Sequence, residues 1–567
     1  MTPEGADVMT DAAQGQKGSA TSSRPKWSPW FDGKLAVAAS IFGPYDLLVF
    51  PMLFYWGGGG AFLLIYLLFV ALMAVPLLFL EVGIGQFMDR GAMAVWNIAP
   101  LFKGIGYVTT AVSAHVFWIA LWMLTVQGLF WVDLGQSYVP SPDLCGTSEG
   151  YGTNDSYPPC QYAAVGLYSD RWPDHSLESG TVEGSKVLAM LLMLLLVCGV
   201  SAAGVRVVGK VTAVCLIVPC FLTLLMMVRV VTLPGAAQGL LYAFFPDWSQ
   251  LAPGRTWVLG CSAAIYNFGT TRGILITVGS YNRFNNNFLL DCLAAVGLKI
   301  VMSICMSVTV LGAFGVAALF SNRDISELVL GNSASTLALL TDILLVVPPS
   351  GGFWAACVLI SAFLLSLNEA LWIVESVTAA VRDLLPSTPR FRVLRRKPVL
   401  LSVFAVPWFI CGLSFCTVGA MQSIGQLSSF CGSYGLMALL SLLQCVAVGW
   451  MYGGMRFQAN WAAMQGCCCC PYPLIFWAVV TPLLLFVMLI AWFFTLSTYN
   501  HDLIQLAAFI ITLLVVVISA VIIFCKQPGS VRQKWRAVSS PQGLADHQLR
   551  PRDRRYNNVA MGNVGAV

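Results

Sequence analysis

A helix needs about 20 mainly apolar residues to cross the hydrocarbon of a bilayer, and this chain offers such stretches one after another between residues 34 and 525. Backbone polar groups in lipid must be satisfied within the segment, which leaves few alternatives to helix. Twelve spans are predicted on that rule: 34–56, 61–84, 105–133, 186–203, 210–232, 254–280, 288–321, 353–382, 398–418, 423–453, 473–496 and 503–525, with 334–348 as a re-entrant loop before the eighth. The chain is 58% hydrophobic and 10% charged, against about 45–50% and 25% in a soluble domain. A core alone cannot absorb that excess, so the apolar surface must face lipid. The lipid bilayer is the first partner the sequence implies.

Other classes fall away quickly. The net charge of +5 is modest, and no basic tract with interleaved aromatics points to nucleic acid. The first residues carry no apolar run behind a basic start, so no cleavable signal is expected and the first span directs insertion. No nucleotide loop, hydrolytic triad or metal cluster stands out, so the chain does not read as an enzyme and no cofactor or metal is expected. Most of the 18 cysteines lie in apolar segments, where a free thiol behaves as a small hydrophobe. Cys467 to Cys470, four in a row, lack the usual spaced zinc-ligand pattern and read as acylated or unmodified. The tails 1–23 and 537–567 are rich in small and polar residues and read as disordered.

Twelve is even, so both ends lie on one side, and the basic residues say which. Arg382, Arg390, Arg392, Arg395, Arg396 and Lys397 follow the eighth span, and Lys526, Arg532, Lys534 and Arg536 follow the last. The loop 134–185 holds Asp143, Glu149, Asp155, Asp170, Asp174, Glu178 and Glu183 against Arg171. Both termini are therefore expected in the cytoplasm and that loop outside. It carries Cys145 and Cys160 around the sequon Asn154-Asp155-Ser156. Outside the cell these suggest a disulfide and a glycan; two free thiols and an unused sequon are the alternative.

Several segments resemble the neurotransmitter:sodium symporter family: FPMLFYWGGGGAFLLIYLLF (Phe50–Phe69), PLLFLEVGIGQF (Pro76–Phe87), PLFKGIGY (Pro100–Tyr107), GSYNRFNNNFLLDC (Gly279–Cys292) and QCVAVGWMYGGMRF (Gln444–Phe457). The resemblance runs from about Arg24 to Tyr499. It implies an all-α LeuT-type fold of two inverted five-helix repeats plus two helices, with spans 1 and 6 unwound at the midplane. The matching boundaries are a tail 1–33 with gate residues, repeats at 34–232 and 233–453, the last two spans within 454–525, and a tail 526–567. Gly43-Pro44 and Asn267-Phe268-Gly269 sit where the breaks would fall; Pro removes an amide and Gly frees the backbone.

The resemblance also implies site residues, and many are altered. At the first sodium position the matching residues are Asp46, Asn267 and Lys299. An ammonium has donors only and cannot ligate sodium, so Lys299 and Asp46 are expected to pair in its place. At the second position stand the carbonyls of Ala39 and Phe42, with Asn368 and Glu369. A residual sodium site is left open there, and Glu369 either pairs with Arg272 or binds a cation or proton. Substrate-facing positions match Tyr45, Ala120 (Ile119 on a one-residue slip), Tyr266, Phe268 and Gly269. The chloride-site tyrosine and serine match Tyr66 and Ser303, but the glutamine position is Ala263, which puts chloride dependence in doubt. The extracellular gate pair becomes Val49 and Ser428, both uncharged. The cytoplasmic gate set matches Arg24, Trp27, Tyr281 and Asp383. Glu81 and Glu375 fall on family positions and read as structural acids, and His115 as a satisfied core residue more than a proton relay.

Two functions remain. One is a secondary active transporter of a small organic solute, an amino acid or amine derivative, working by alternating access in the plasma membrane with altered ion coupling. The other is a transport-inactive relative acting as partner or scaffold; a homo-oligomer or an accessory subunit is left open. A channel has little behind it.

Overall fold

The computed structural model describes residues 24–27, 32–137, 182–321, 324–328, 333–345, 347, 350–386, 388–417, 424–425, 427–428, 432–465, 472–496 and 502–542. Among these residues the regular secondary structure is all helix, apart from an isolated antiparallel bridge between Val182 and Thr417. The expected disulfide of Cys145 with Cys160, the sequon at Asn154 and the cysteine run 467–470 lie outside the described residues.

The helices in chain order are α1 (Asp32–Ser40), α2 (Pro44–Trp56), α3 (Gly60–Met88), α4 (Lys103–Ser137), α5 (Gly184–Ala202), α6 (Val205–Val231), α7 (Ala236–Phe244), α8 (Gly254–Asn267), α9 (Ile274–Ser280) and α10 (Phe288–Ser321). They continue with α11 (Ser333–Leu345), α12 (Gly351–Leu384), α13 (Lys397–Gly412), α14 (Tyr434–Gln465), α15 (Phe476–Phe494), α16 (Leu503–Lys526) and α17 (Val531–Ser539). Ten helices among the described residues are long and apolar enough to cross a membrane, and α1 with α2, bent by 46°, makes up to eleven. The twelve expected from hydropathy are thus not all continuous. The stretch 254–280 is two pieces, α8 and α9, neither long enough alone. The helix expected at 423–453 begins at Tyr434 and runs on to Gln465, bending through a π-helical stretch at Val446–Gly453. The tail expected to lose order from 537 keeps helix through Ser539.

The interior is built where α12 packs on α4 and α6, α10 on α1, α6 and α7, and α9 on α3. The α3–α9 contact is backbone against backbone. A Cβ on Gly85 would lie 2.1 Å from the Ile276 carbonyl oxygen, and one on Gly279 2.4 Å from that of Val82. Small residues permit this approach, as in other helix pairs within membranes. Peripheral helices present the reverse picture: Leu192 and Leu195 on α5, Val406 and Ile410 on α13, and Leu514 and Ile518 on α16 are all exposed. So much contiguous apolar surface belongs against lipid tails, and the chain is a multi-pass membrane protein.

Candidate functional site

Two interruptions face each other in the interior. Between α1 and α2 the backbone is extended at Gly43 (φ −158°, ψ 179°), and Pro44 opens the next helix. Asp46, in the first turn of α2, accepts the Gly43 amide at 3.1 Å; a carboxylate at a helix N-terminus also meets the positive end of the helix dipole. Between α8 and α9, Gly269, Thr271 and Gly273 take φ of 61°, 70° and 71°. For the β-branched Thr271 that is a true outlier. Its amide donates to Glu81 Oε1 at 2.6 Å, and the Ser113 hydroxyl donates to the Arg272 carbonyl at 2.5 Å. Side chains from α3 and α4 thus hold the broken segment.

At the first cation position Lys299 and Asp46 are both withdrawn from solvent (side chains 1% and 0% exposed). Lys299 Nζ lies 2.5 Å from Asp46 Oδ2 and donates to the Ile41 carbonyl at 2.5 Å. It also sits 4.6 Å from the centre of the Phe42 ring, a cation–π contact. Ser303 Oγ donates to Asp46 Oδ1 at 3.2 Å. Asn267 donates to Tyr66 Oη at 2.8 Å and to Ser303 Oγ at 3.4 Å. Tyr66 and Ser303, the chloride-position pair, are therefore tied into the same network as the ion pair.

At the second position Asn368 Nδ2 donates to the carbonyls of Ala39 and Phe42, each at 2.7 Å. Next to it, Glu369 Oε1 accepts from Arg272 Nη1 at 2.6 Å. The Arg272 guanidinium lies 4.4 Å from the Tyr266 ring centre, and Tyr266 packs on Tyr45 at 4.7 Å. Tyr45, Tyr266, Gly269 and Glu369 keep partial exposure, while Ala120 and Phe268 are fully buried in the apolar core.

The two ends differ. At the positions expected for the outer gate, Val49 and Ser428 are half-buried and carry no charge. At the positions expected for the cytoplasmic gate, Arg24 pairs with Asp383, which also accepts the Gly91 amide at 2.7 Å. Trp27 binds the Tyr281 carbonyl through its amide at 3.0 Å and the Val278 carbonyl through its ring nitrogen at 3.3 Å. Arg24 lies over the Tyr281 ring, whose hydroxyl donates to Glu375 at 2.6 Å, and Glu375 pairs with Lys397. His115 bonds the Ala111 carbonyl at 2.7 Å within its own helix.

Sequence reasoning missed a second inner contact. Lys26 Nζ reaches Asp89 Oδ1 (2.6 Å), the Ser280 carbonyl (3.1 Å) and the Asn282 carbonyl (2.9 Å), using all three of its donors. Burial pushes this ammonium below its usual range, and Asp89 opposes the shift. The only signal in the sequence was a lysine beside Trp27; Asp89, in the left-handed position that ends α3 (φ 54°), gave none.

The profile of the sodium:neurotransmitter symporter family matches residues 24–143 and 170–529. The chain is 27% identical over 565 residues to the creatine transporter of Torpedo marmorata, covering 95% of this chain and 91% of that one. It is 29% identical over 510 residues to the sodium- and chloride-dependent creatine transporter 1 of Bos taurus (85% and 79% covered). It is 30% identical over 500 residues to the sodium- and chloride-dependent GABA transporter 2 of Mus musculus (85% and 81% covered). These relatives are transporters and not enzymes. With the match spanning nearly all of the membrane-embedded chain, this protein belongs to the sodium:neurotransmitter symporter family.

Proposed function

We propose that the chain is a secondary carrier moving a small organic solute by alternating access. The observation that carries this reading is the sealed inner end. Arg24, Asp383, Trp27, Tyr281 and Glu375 close beneath two helices broken at Gly43 and at Phe268–Gly273. A buried ion pair is weak support for stability alone; as a latch it has a use in a chain that opens and shuts.

In this reading α8 and α9 are halves of one broken span, which brings the spans to twelve. Residues 34–232 and 233–453 form the two five-helix repeats, 454–525 contributes the last two spans, and the tails 1–33 and 526–567 face the cytoplasm across a plasma membrane. Lys299 is a fixed cation for Asp46 at the first ion position. Tyr45, Tyr266, Gly269 and Glu369, which keep partial exposure beside the two breaks, meet the solute, with Ala120 and Phe268 behind them. Val49 and Ser428 make an uncharged outer latch.

Uptake into proteoliposomes tests the proposal. Creatine and GABA, named for the relatives, head a panel of amino acids and amines. Saturable uptake of any member supports a carrier. No uptake of any member, from correctly inserted protein, sinks the carrier and favours the alternative, a transport-inactive partner or scaffold. The observation on that side is the Tyr45 ring packed against that of Tyr266 at 4.7 Å, between the two breaks.

A further inference from the structure

We infer that sodium has no seat at either family cation position, so that solute movement is not coupled to a sodium gradient; the coupling half of this rests on the carrier reading, the binding half does not. The second position decides it, because the first is already held by Lys299. A sodium ion there would need the carbonyl oxygens of Ala39 and Phe42. Both face the nitrogen of the Asn368 carboxamide at 2.7 Å. An amide nitrogen has two hydrogens, and each carbonyl takes one. The positive end of the amide dipole thus stands where the ion would stand, on the same two oxygens.

Glu369, the remaining acid beside that position, is no free ligand. Its Oε1 is held by Arg272 at 2.6 Å, and Arg272 is itself withdrawn from water (side chain 7% exposed). The four charges at the two ion positions therefore balance among themselves: Lys299 with Asp46, both buried, and Arg272 with the partly exposed Glu369. A sodium ion added to that set would be an uncompensated charge in a medium that solvates it poorly, and such charges are strongly disfavoured. Relatives whose names carry sodium dependence bring the ion from outside; here the chain supplies the positive groups itself.

One rearrangement would defeat the inference. Turning the Asn368 carboxamide over would aim Oδ1, which has no hydrogen-bond partner, at the same point as the two carbonyls and assemble three oxygens around a cation. Without an ion that turn would set three oxygens against one another and strip both carbonyls of their donor, a cost the observed orientation avoids.

The test is binding, read on the full-length protein in nanodiscs. Thermal unfolding is followed in sodium chloride and in choline chloride at equal ionic strength, up to about 0.15 M, with radioactive sodium binding in parallel. The expected result is one midpoint in both salts and no saturable sodium binding. Two variants, Lys299→Asn and Asn368→Asp, each free or create an oxygen ligand with unbalanced negative charge at one position. Each is expected to gain a saturable, sodium-specific rise in midpoint. Sodium-specific stabilisation of the unaltered protein overturns the inference. Indifference of both folded variants overturns the assignment of Lys299 and Asn368 to the places of the ion. Failure of every uptake experiment would remove the carrier reading and leave the binding result standing.

Discussion

Lys299 and Asp46 form a contact of 2.5 Å with both side chains out of solvent, and each is the main reason the other can be charged there. Breaking such a pair from one side leaves a buried charge unanswered, at a cost of about 3–5 kcal/mol. Lys299→Met is therefore expected to lower the unfolding midpoint and surface delivery sharply in sodium-free buffer. Lys299→Met combined with Asp46→Leu is expected to recover most of the loss. A double variant as damaged as the single one would refute the pairing account; the thermal midpoints of the four-member cycle decide it.

The inner latch predicts a shift in accessibility. Arg24→Ala removes the cation from Asp383 and from the face of Tyr281, and the inner end is expected to open more often. A reporter cysteine placed by Ser376→Cys, whose native hydroxyl lies 3.2 Å from that of Thr277 in the sealed interior, should then be alkylated faster from the cytoplasmic side. About tenfold corresponds to about 1.4 kcal/mol. Unchanged labelling of the peptide containing residue 376 would show that the pair does not hold the end shut.

Lys26 should rank below Arg24. Its pair with Asp89 keeps roughly a quarter of each side chain exposed (28% and 24%), and partly exposed pairs contribute about 0–1 kcal/mol. Lys26→Met is expected to speed the same labelling less than Arg24→Ala does. The reverse order would make Lys26, through its bonds to the Ser280 and Asn282 carbonyls, the principal closure.

The α3–α9 crossing predicts intolerance of a single methyl group. Gly85→Ala places a Cβ on the Ile276 carbonyl, a backbone atom that cannot swing aside. Overpacking of this kind costs about 1–3 kcal/mol, and size-exclusion profiles should show a smaller monodisperse fraction. Gly297→Ala is the control, since nothing lies within 4 Å of a Cβ at that position; it is expected to behave as the unaltered protein.

What could be read in the sequence followed its physical signal. The bend between α1 and α2 falls at Gly43-Pro44 because a missing amide and a residue without Cβ are visible as letters. Lys299 and Asp46 were brought together by the family positions they match, and their pairing followed because an ammonium cannot ligate sodium and a lone buried charge has no stable place. The division of residues 254–280 into α8 and α9 was only half legible: Asn267-Phe268-Gly269 marked it, but Thr271 in the left-handed region has no sequence signature. The double donation from Asn368 to Ala39 and Phe42 was not legible at all, since composition does not say which way a carboxamide turns. Lys26 with Asp89 escaped for a similar reason, joining two loop positions whose meeting depends on the whole fold.

Thr271 has a consequence for motion. A side chain branched at Cβ and held at a φ of 70° stores about 1–3 kcal/mol, and the bond from its amide to Glu81 keeps it there. The segment between α8 and α9 is thus a loaded spring with Glu81 as its catch. Without that carboxylate the strained angle would lose its restraint, so the shape of this break depends on an acid supplied by another helix.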